Sequence, residues 1–161
     1  MAIYVQVGKK DEIKGNVSAK GHENWIECDS FQFGVGRAIP MFVGKQTERE
    51  ASNPSISEVT LSKNMEDSSP YLFQEALKGE GKQVTIHVTK TGGKQLESVV
   101  EYVLGDAMLS GYSVSSGGDV PSESFSLAYT KIEMKYIQWD EAHKKSSQVP
   151  VSYDLGQAVA G

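Results

Sequence analysis

The sequence has one cysteine, three histidines and no excess of positive charge, and each shortage disfavours a class of function. A lone Cys28 forms neither an internal disulfide nor a thiolate metal cluster, and its strand-like surroundings predict a small buried thiol. His22, His87 and His143 are scattered without the close spacing of zinc ligands. With 21 acidic and 16 basic residues the net charge is −5, which disfavours phosphate neutralisation. We therefore expect no metal, no cofactor and no nucleic-acid partner.

Long hydrophobic runs are also missing. No apolar stretch has the length that crosses a bilayer, and the first ten residues are too short and too soon charged for a secretory signal. We therefore expect synthesis in the cytoplasm, no membrane insertion and no cleaved signal peptide. The 161 residues, 39% hydrophobic and 23% charged, predict one globular domain over 1–161 that buries a core without disulfides.

One segment has the chemistry of a helix in a chain that otherwise alternates between apolar and polar residues. Ser69 is placed to cap a first turn, Pro70 suits the first helical position, and Gly79 follows where a left-handed residue would close the last turn. These signals predict a helix over about 69–78. Alternating residues on both sides predict a strand before it and a strand after it.

The fold class follows from the remaining strand-like runs. Two of them, 25–35 and 123–139, change their alternation by one residue, which we interpret as bulges in curved strands. A tight turn is predicted at Gly92-Gly93, and we assign the many serines to turns. The pattern predicts a mainly β protein with one helix, in either a closed or a two-sheet architecture.

A long connection at about 36–55 is unusual for its apolar residues. Ile39, Met41, Phe42 and Val43 lie in otherwise loop-like sequence. Such a cluster either docks on another subunit or folds back on its own barrel, and the sequence leaves both open.

Motifs for catalysis are weak. Residues 140–143 spell Asp-Glu-Ala-His, but a helicase box of that kind needs a phosphate-binding loop, which the sequence lacks. The sequence contains no G-x-S-x-G elbow. We predict that the protein is not an enzyme, and keep a hydrolase that uses His22 or His87 with a serine as a disfavoured alternative.

The order of features resembles the haemolysin-coregulated protein (Hcp) family, the tube subunit of bacterial type VI secretion systems. The resemblance runs from Ile3 to about Leu155. It rests on these segments in order: the I-x-V-x-V strand at Ile3, Gly21-His22-Glu23 before Trp25-Ile26, Phe31-x-Phe33-Gly34, Ser68-Ser69-Pro70, Thr91-Gly92-Gly93, and Leu127-x-Tyr129-x-Lys131-Ile132-x-Met134-x-Tyr136.

The resemblance implies a small β-barrel of two antiparallel sheets with one flanking α-helix, and a structural protein without enzymatic activity. Family members form homo-hexameric rings that stack into a tube, surrounded by a contractile sheath and carried behind a VgrG-type spike. Small secreted effectors bind in the lumen. The protein would pass from the bacterial cytoplasm to the extracellular space or a target cell without a cleaved signal peptide. The alternative is a monomeric β-barrel that binds a small apolar ligand inside.

The resemblance also implies roles for particular residues. Gln32 matches a lumen-facing position where relatives often have serine, so it would contact effectors. The charged run 47–50 replaces a glycine-rich stretch and suggests salt-sensitive stacking. The residues implied at subunit or ring interfaces are Ile39, Met41, Phe42 and Val43 in the loop, Gly92 and Gly93 on one ring face, and Gly156 and Gln157 on the other.

Overall fold

The computed structural model describes residues 1–41, 43–44, 52–92 and 95–161. Within these ranges it contains twelve β-strands and one α-helix. The strands are β1 (Ala2–Val7), β2 (Ile26–Cys28), β3 (Ser30–Gln32), β4 (Val35–Gly36), β5 (Ser55–Ile56), β6 (Val59–Asn64), β7 (Lys82–Gly92), β8 (Gln95–Ser115), β9 (Ser122–Ala128), β10 (Lys131–Trp139), β11 (Lys145–Asp154) and β12 (Val159–Ala160). The helix is α1 (Ser69–Lys78).

Two antiparallel sheets share the long strand β8. Sheet A has the order β12-β11-β10-β8-β7-β1-β2, and sheet B joins β3, β6, β9 and β8. The first part of β8, up to Ala107, pairs with β7 and β10, and the part from Met108 onward pairs with β9. Among the described residues, strands β4 and β5 pair only with each other. The prediction of a mainly β protein with two antiparallel sheets and one flanking helix is confirmed.

The changes in alternation have a different cause from the predicted bulges. In the first run, β2 pairs with β1 in sheet A, whereas β3 pairs with β6 in sheet B, and Asp29 lies between them. In the second run, β9 and β10 also lie in different sheets and are separated by Tyr129 and Thr130. Each phase change therefore marks the passage of the chain from one sheet to the other.

Helix α1 has the predicted bounds, but Ser69 is not its N-cap, and its C-cap Gly79 is not left-handed. The N-cap is Ser68, which makes no side-chain cap bond. The Ser69 hydroxyl instead accepts a hydrogen bond from the Glu66 N–H at 3.0 Å. Gly79 is extended, with φ −70°, and its N–H donates to the Glu75 carbonyl at 2.8 Å. The helix therefore ends without the left-handed residue that the sequence suggested.

The core lies between the two sheets and is closed by α1. Leu72 of the helix is fully buried, whereas Phe73 and Leu77 of the same helix are 51% and 69% exposed. The largest fully buried apolar side chains include Leu61, Leu104, Phe125 and Leu127. No helix among the described residues is long and apolar enough to cross a membrane.

A buried polar network lies beneath the start of α1. The ammonium group of Lys63 contacts the carboxylate of Glu123, and both side chains are fully buried. Ser69 donates a hydrogen bond to Glu123 at 2.7 Å, and Tyr112 donates to its other carboxylate oxygen. Burial, together with that hydrogen bond, raises the pKa of Tyr112 above its ordinary value. The network joins the helix to β6, β8 and β9.

Candidate assembly surfaces

An apolar strip continues the core face of sheet A beyond the cover of sheet B. Met134 pairs with Tyr102 of the core, and Tyr136 pairs with Val100, so their side chains lie on the core side of the sheet. Their partners on β11 are Val151 and Val149. The four strip residues, Met134, Tyr136, Val149 and Val151, are between 39% and 58% exposed. Tyr136 is exposed because β10 and β11 extend past sheet B.

An apolar groove lies beside this strip. Its volume is about 190 Å³, and its walls come from the strip and from the base of the long connection: Phe33, Val35, Pro54, Ile56, Ile132, Met134, Val151, Ser152 and Tyr153. Val35 is 64% exposed although it lines the groove. An exposed apolar groove of this kind is typical of a binding site.

The long connection leaves the body of the protein as a pair of antiparallel arms. Beyond β4 and β5, the Ser52 N–H donates to the Ala38 carbonyl at 3.1 Å, and the Ala38 N–H donates to the Ser52 hydroxyl at 3.1 Å. Ile39 is 40% exposed, Met41 is 88% exposed and Val43 is fully exposed. Phe42 and the charged run 47–50 lie outside the described residues. Met41 and Val43 therefore do not fold back onto the sheets.

The glycine positions implied at ring faces lie at opposite ends of sheet A. Gly92 pairs with Gln95 where β7 meets β8, close to the turn between β10 and β11. Gly156 and Gln157 lie in the turn after β11, next to the start of β10, where the Leu155 N–H donates to the Thr130 carbonyl at 2.8 Å. Gly93 lies outside the described residues. The length of β10 separates the two ends by about 30 Å.

A side chain at position 92 would clash with Glu97. A Cβ atom there would lie 2.0 Å from the carboxyl carbon of Glu97, whose side chain is fully buried. The Glu97 carboxylate lies 3.0 Å from His143 Nδ1 and 3.8 Å from Lys90 Nζ. This pair with His143 ties the β7–β8 end of the sheet to the turn between β10 and β11.

Gln32 belongs to a neutral polar face that covers the outside of sheet B. It is exposed at the end of β3 and pairs with Thr60 of β6, which pairs with Ser126 of β9. The register places ten uncharged polar residues on this face: Ser30, Gln32, Thr60, Ser62, Asn64, Ser113, Ser115, Ser122, Ser124 and Ser126. We call this surface the hydroxyl face.

Hydroxyl groups of the face bond to one another across the strands. Ser113 and Ser124 are 2.7 Å apart, and Ser126 lies 2.9 Å from Ser110, which also donates to Glu58 at 2.8 Å. The assignment of the serines to turns is therefore wrong for these positions. Their alternation with buried residues such as Phe125 and Leu127 was the signal for a polar strand face.

Two of the three histidines, which the sequence left scattered, lie side by side. His22 Nε2 is 2.9 Å from His87 Nδ1, although 65 residues separate them. Among the described residues, no group of three or more His, Cys, Asp or Glu side chains is arranged to hold a metal ion. Cys28 is a buried free thiol as predicted, and burial raises its pKa to about 12.

Comparison with solved structures shows the same fold in type VI secretion proteins. A type six secretion system protein matches with a TM-score of 0.88 and 21% identity, over 99% of both chains. Hcp1 from Salmonella typhimurium matches with a TM-score of 0.76 and 18% identity, over 99% of this chain and 98% of its own. A type VI secretion system effector from Yersinia pestis matches with a TM-score of 0.73 and 16% identity, over 94% and 98%.

Comparison of the sequence with protein-family models identifies the family of this chain. Among proteins with curated descriptions, none matches the chain. The family model described as type VI secretion system effector, Hcp, matches residues 4–136, which include strands of both sheets and α1. The chain therefore belongs to the Hcp family of type VI secretion system proteins.

Proposed function

We propose that this protein is the structural tube protomer of a bacterial type VI secretion system. Six copies form a ring, and rings stack into a tube that is exported with the spike. The observation that carries the proposal is the exposed apolar strip and groove on one side of the protein, combined with a separate exposed apolar loop.

Two different apolar surfaces suit a ring. In a closed cyclic assembly larger than a dimer, each subunit presents one surface to one neighbour and a different surface to the other. The strip of Met134, Tyr136, Val149 and Val151 is one such surface. The loop residues Ile39, Met41, Phe42 and Val43 are the proposed second contact, made with the neighbour in the ring or with the next ring.

The ends of sheet A supply the proposed stacking contacts. Gly92 and Gly93 would meet Gly156 and Gln157 of the next ring, which is consistent with the opposite ends at which Gly92 and the second pair lie. Because each ring would present one end upward and the other downward, the same contact repeats along a tube. The charged run 47–50 predicts that ring stacking depends on the salt concentration.

The hydroxyl face is the proposed lumen wall, and Gln32 is its proposed effector contact. Its residues carry no formal charge and offer both donors and acceptors. Such a wall would bind small effectors through hydrogen bonds without selecting one sign of charge. We also propose the contractile sheath and a VgrG-type spike as partners, and export from the bacterial cytoplasm without a cleaved signal peptide.

The alternative, a monomeric barrel with a small ligand inside, has less support. The space between the sheets is occupied by fully buried side chains such as Leu61, Leu104 and Phe125. A hydrolase that uses His22 or His87 also has less support, because the hydrogen-bond partner of each ring is the other histidine. The proposal of a non-enzymatic structural protein therefore stands on the apolar surfaces and on the family.

The solution mass of the unaltered protein tests the ring. We expect sedimentation to give about six protomers, and electron microscopy of that peak to show annular particles. A monomer at high concentration without annular particles would contradict the proposed ring.

Cross-linking tests the stacking contact. In a chain carrying Gln95→Cys and Gln157→Cys, both exposed positions, we expect oxidation to produce a ladder of covalent multimers. The two new thiols of one subunit lie at opposite ends of sheet A, so only contact between rings brings them together. Each single variant is the matched control and forms no ladder, since Cys28 is buried. Absence of the ladder when electron microscopy shows tubes would rule out this pair of ends as the contact.

A further inference from the structure

A segment of the chain that contains few strand residues covers the outer face of sheet A. Residues 13–25, which we call the covering segment, fold into a compact excursion in which the Gly15 N–H donates to the Asn24 carbonyl at 2.8 Å. A Cβ on Gly15 would lie 2.3 Å from the Trp25 carbonyl oxygen, so the two arms are in close contact. The segment places His22, only 7% exposed, over Tyr4 of β1.

The covering segment meets β7 at a hydrogen bond between two imidazoles. His22 Nε2 and His87 Nδ1 are 2.9 Å apart, and Trp25 contacts both rings at centroid distances of 4.8 Å, edge-on to His22 and tilted to His87. A hydrogen bond of this kind requires one nitrogen with a proton and one without. At least one of the two rings must therefore be neutral for the contact to exist.

The surroundings indicate which nitrogen carries each proton. His87 Nε2 lies 3.8 Å from the Glu101 carboxylate, which favours a proton on that nitrogen and leaves Nδ1 as the acceptor. His22 then donates from Nε2, and its Nδ1 is a bare acceptor, consistent with the absence of a hydrogen-bond partner for that buried atom among the described residues. A proton added to His87 turns its Nδ1 into a donor, so the hydrogen bond survives only if His22 moves its own proton to the buried Nδ1, which has no acceptor among the described residues. A proton added to His22 creates a buried N–H without an acceptor.

Charged groups from each neighbouring element face the pair. Glu101 of β8 contacts Lys135 of β10 at 2.9 Å, so its charge is partly neutralised where it meets His87. Burial lowers the pKa of His87; Glu101 opposes this shift, and His22, Lys135 and Lys145 of β11 add to it. Burial also lowers the pKa of His22, against the opposing charges of Glu23 in the covering segment and Glu101. From β1, Tyr4 contributes a neutral ring, and burial raises its pKa.

We infer that the His22–His87 contact is an acid-sensitive latch, which holds the covering segment on sheet A near neutral pH and releases it when the imidazoles take up protons. The direction follows from proton linkage. The closed form excludes protons that the open form binds at the ordinary histidine pKa of 6.5. Acidification below that value therefore favours opening. Release would uncover Tyr4, His87 and Glu101, which lie in one row across the sheet.

Hydrogen exchange of the full-length protein tests the latch. We expect peptides from residues 13–25 to lose protection as the pH falls below about 6.5, by about tenfold per pH unit for each proton taken up, after correction for the intrinsic exchange rate. Peptides from β1 and β7 should keep their protection over the same range. The chain with His22→Gln and His87→Gln should lose this pH dependence, and the single His87→Gln variant should show a shallower one.

The third histidine provides the matched control. His143 lies at the β10–β11 turn beside Glu97, away from the latch, so His143→Gln should behave as the unaltered chain does. The proposal is overturned if protection of residues 13–25 is independent of pH in the unaltered protein. It is also overturned if the double variant keeps the full dependence, or if all peptides lose protection together. The latch does not depend on ring formation, so these outcomes are separate from those of the mass measurement.

Discussion

Replacing Lys63 with alanine should lower the free energy of unfolding by about 3–5 kcal/mol, as measured by urea denaturation at a fixed protein concentration near neutral pH. Lys63 and Glu123 are fully buried partners beneath α1. The replacement leaves the Glu123 carboxylate in a buried position without its cation, and removes a donor to the Asn64 carbonyl and to Ser69. The energy lost is mainly the cost of an uncompensated buried charge.

Removing both charges should restore most of this loss. In the double variant Lys63→Met with Glu123→Gln, the methionine fills the space of the lysine stem, and the glutamine still accepts from Ser69 or Tyr112. Replacing both members of a buried ion pair is often nearly neutral, whereas removing one is costly. Lys20→Ala, at an exposed position, is the control and should change stability by about 0.5 kcal/mol or less. The explanation fails if Lys63→Ala matches this control, or if the double variant remains as unstable as Lys63→Ala.

The local parts of the fold could be predicted because their signals are local. Ser69, Pro70 and Gly79 gave the bounds of α1, and alternation gave most strands. The caps failed for a tertiary reason, since the Ser69 hydroxyl is bonded to Glu66 and Glu123 and not to a first-turn amide of the helix. The capping propensity of serine does not show that its hydroxyl will bond to a carboxylate from a distant strand instead.

The points at which the chain passes from one sheet to the other could not be predicted from the alternation of apolar and polar residues. A bulge and a change of sheet both shift the apolar phase by one residue, so the runs around Asp29 and Thr130 allowed either. The choice depends on which distant strand supplies the partner, and β3 pairs with β6 about thirty residues later in the chain. Long-range strand pairing also determines how far β10 and β11 extend past sheet B, which is why Tyr136 is exposed.

Of the candidate surfaces, some could be predicted from the sequence and others could not. The exposed loop residues Ile39, Met41 and Val43 were identified from composition alone, and their exposure agrees with one of the two alternatives. The hydroxyl face was visible in the alternation of Ser122, Ser124 and Ser126 but was missed. The histidine pair had no sequence signal, since only the fold of the covering segment brings His22 to His87.

Replacing Val151 with aspartate should convert rings into monomers. Val151 is 58% exposed and lies in the apolar strip beside the groove, so a carboxylate there leaves the single subunit well hydrated. In the proposed ring, the same carboxylate would be buried against an apolar neighbour, which costs about 3 kcal/mol or more and weakens each contact by more than about a hundredfold. The change is repeated at every contact of the ring, so its effect on assembly multiplies. Sedimentation should show the mass falling to that of one protomer, while the circular dichroism spectrum stays that of the unaltered chain.

The opposite face of the same strand supplies the matched control. Gln148 is exposed on β11, pairs with Ile137 and points away from the strip, so Gln148→Asp adds the same charge to the same strand outside the proposed contact. Rings should persist in this variant. If Val151→Asp also leaves the rings intact, the strip is not the ring contact. Equal dissociation of both variants would instead indicate a general effect of charge on β11. Only loss of the ring in Val151→Asp alone assigns the contact to the apolar face, because strand, charge and chain are otherwise the same.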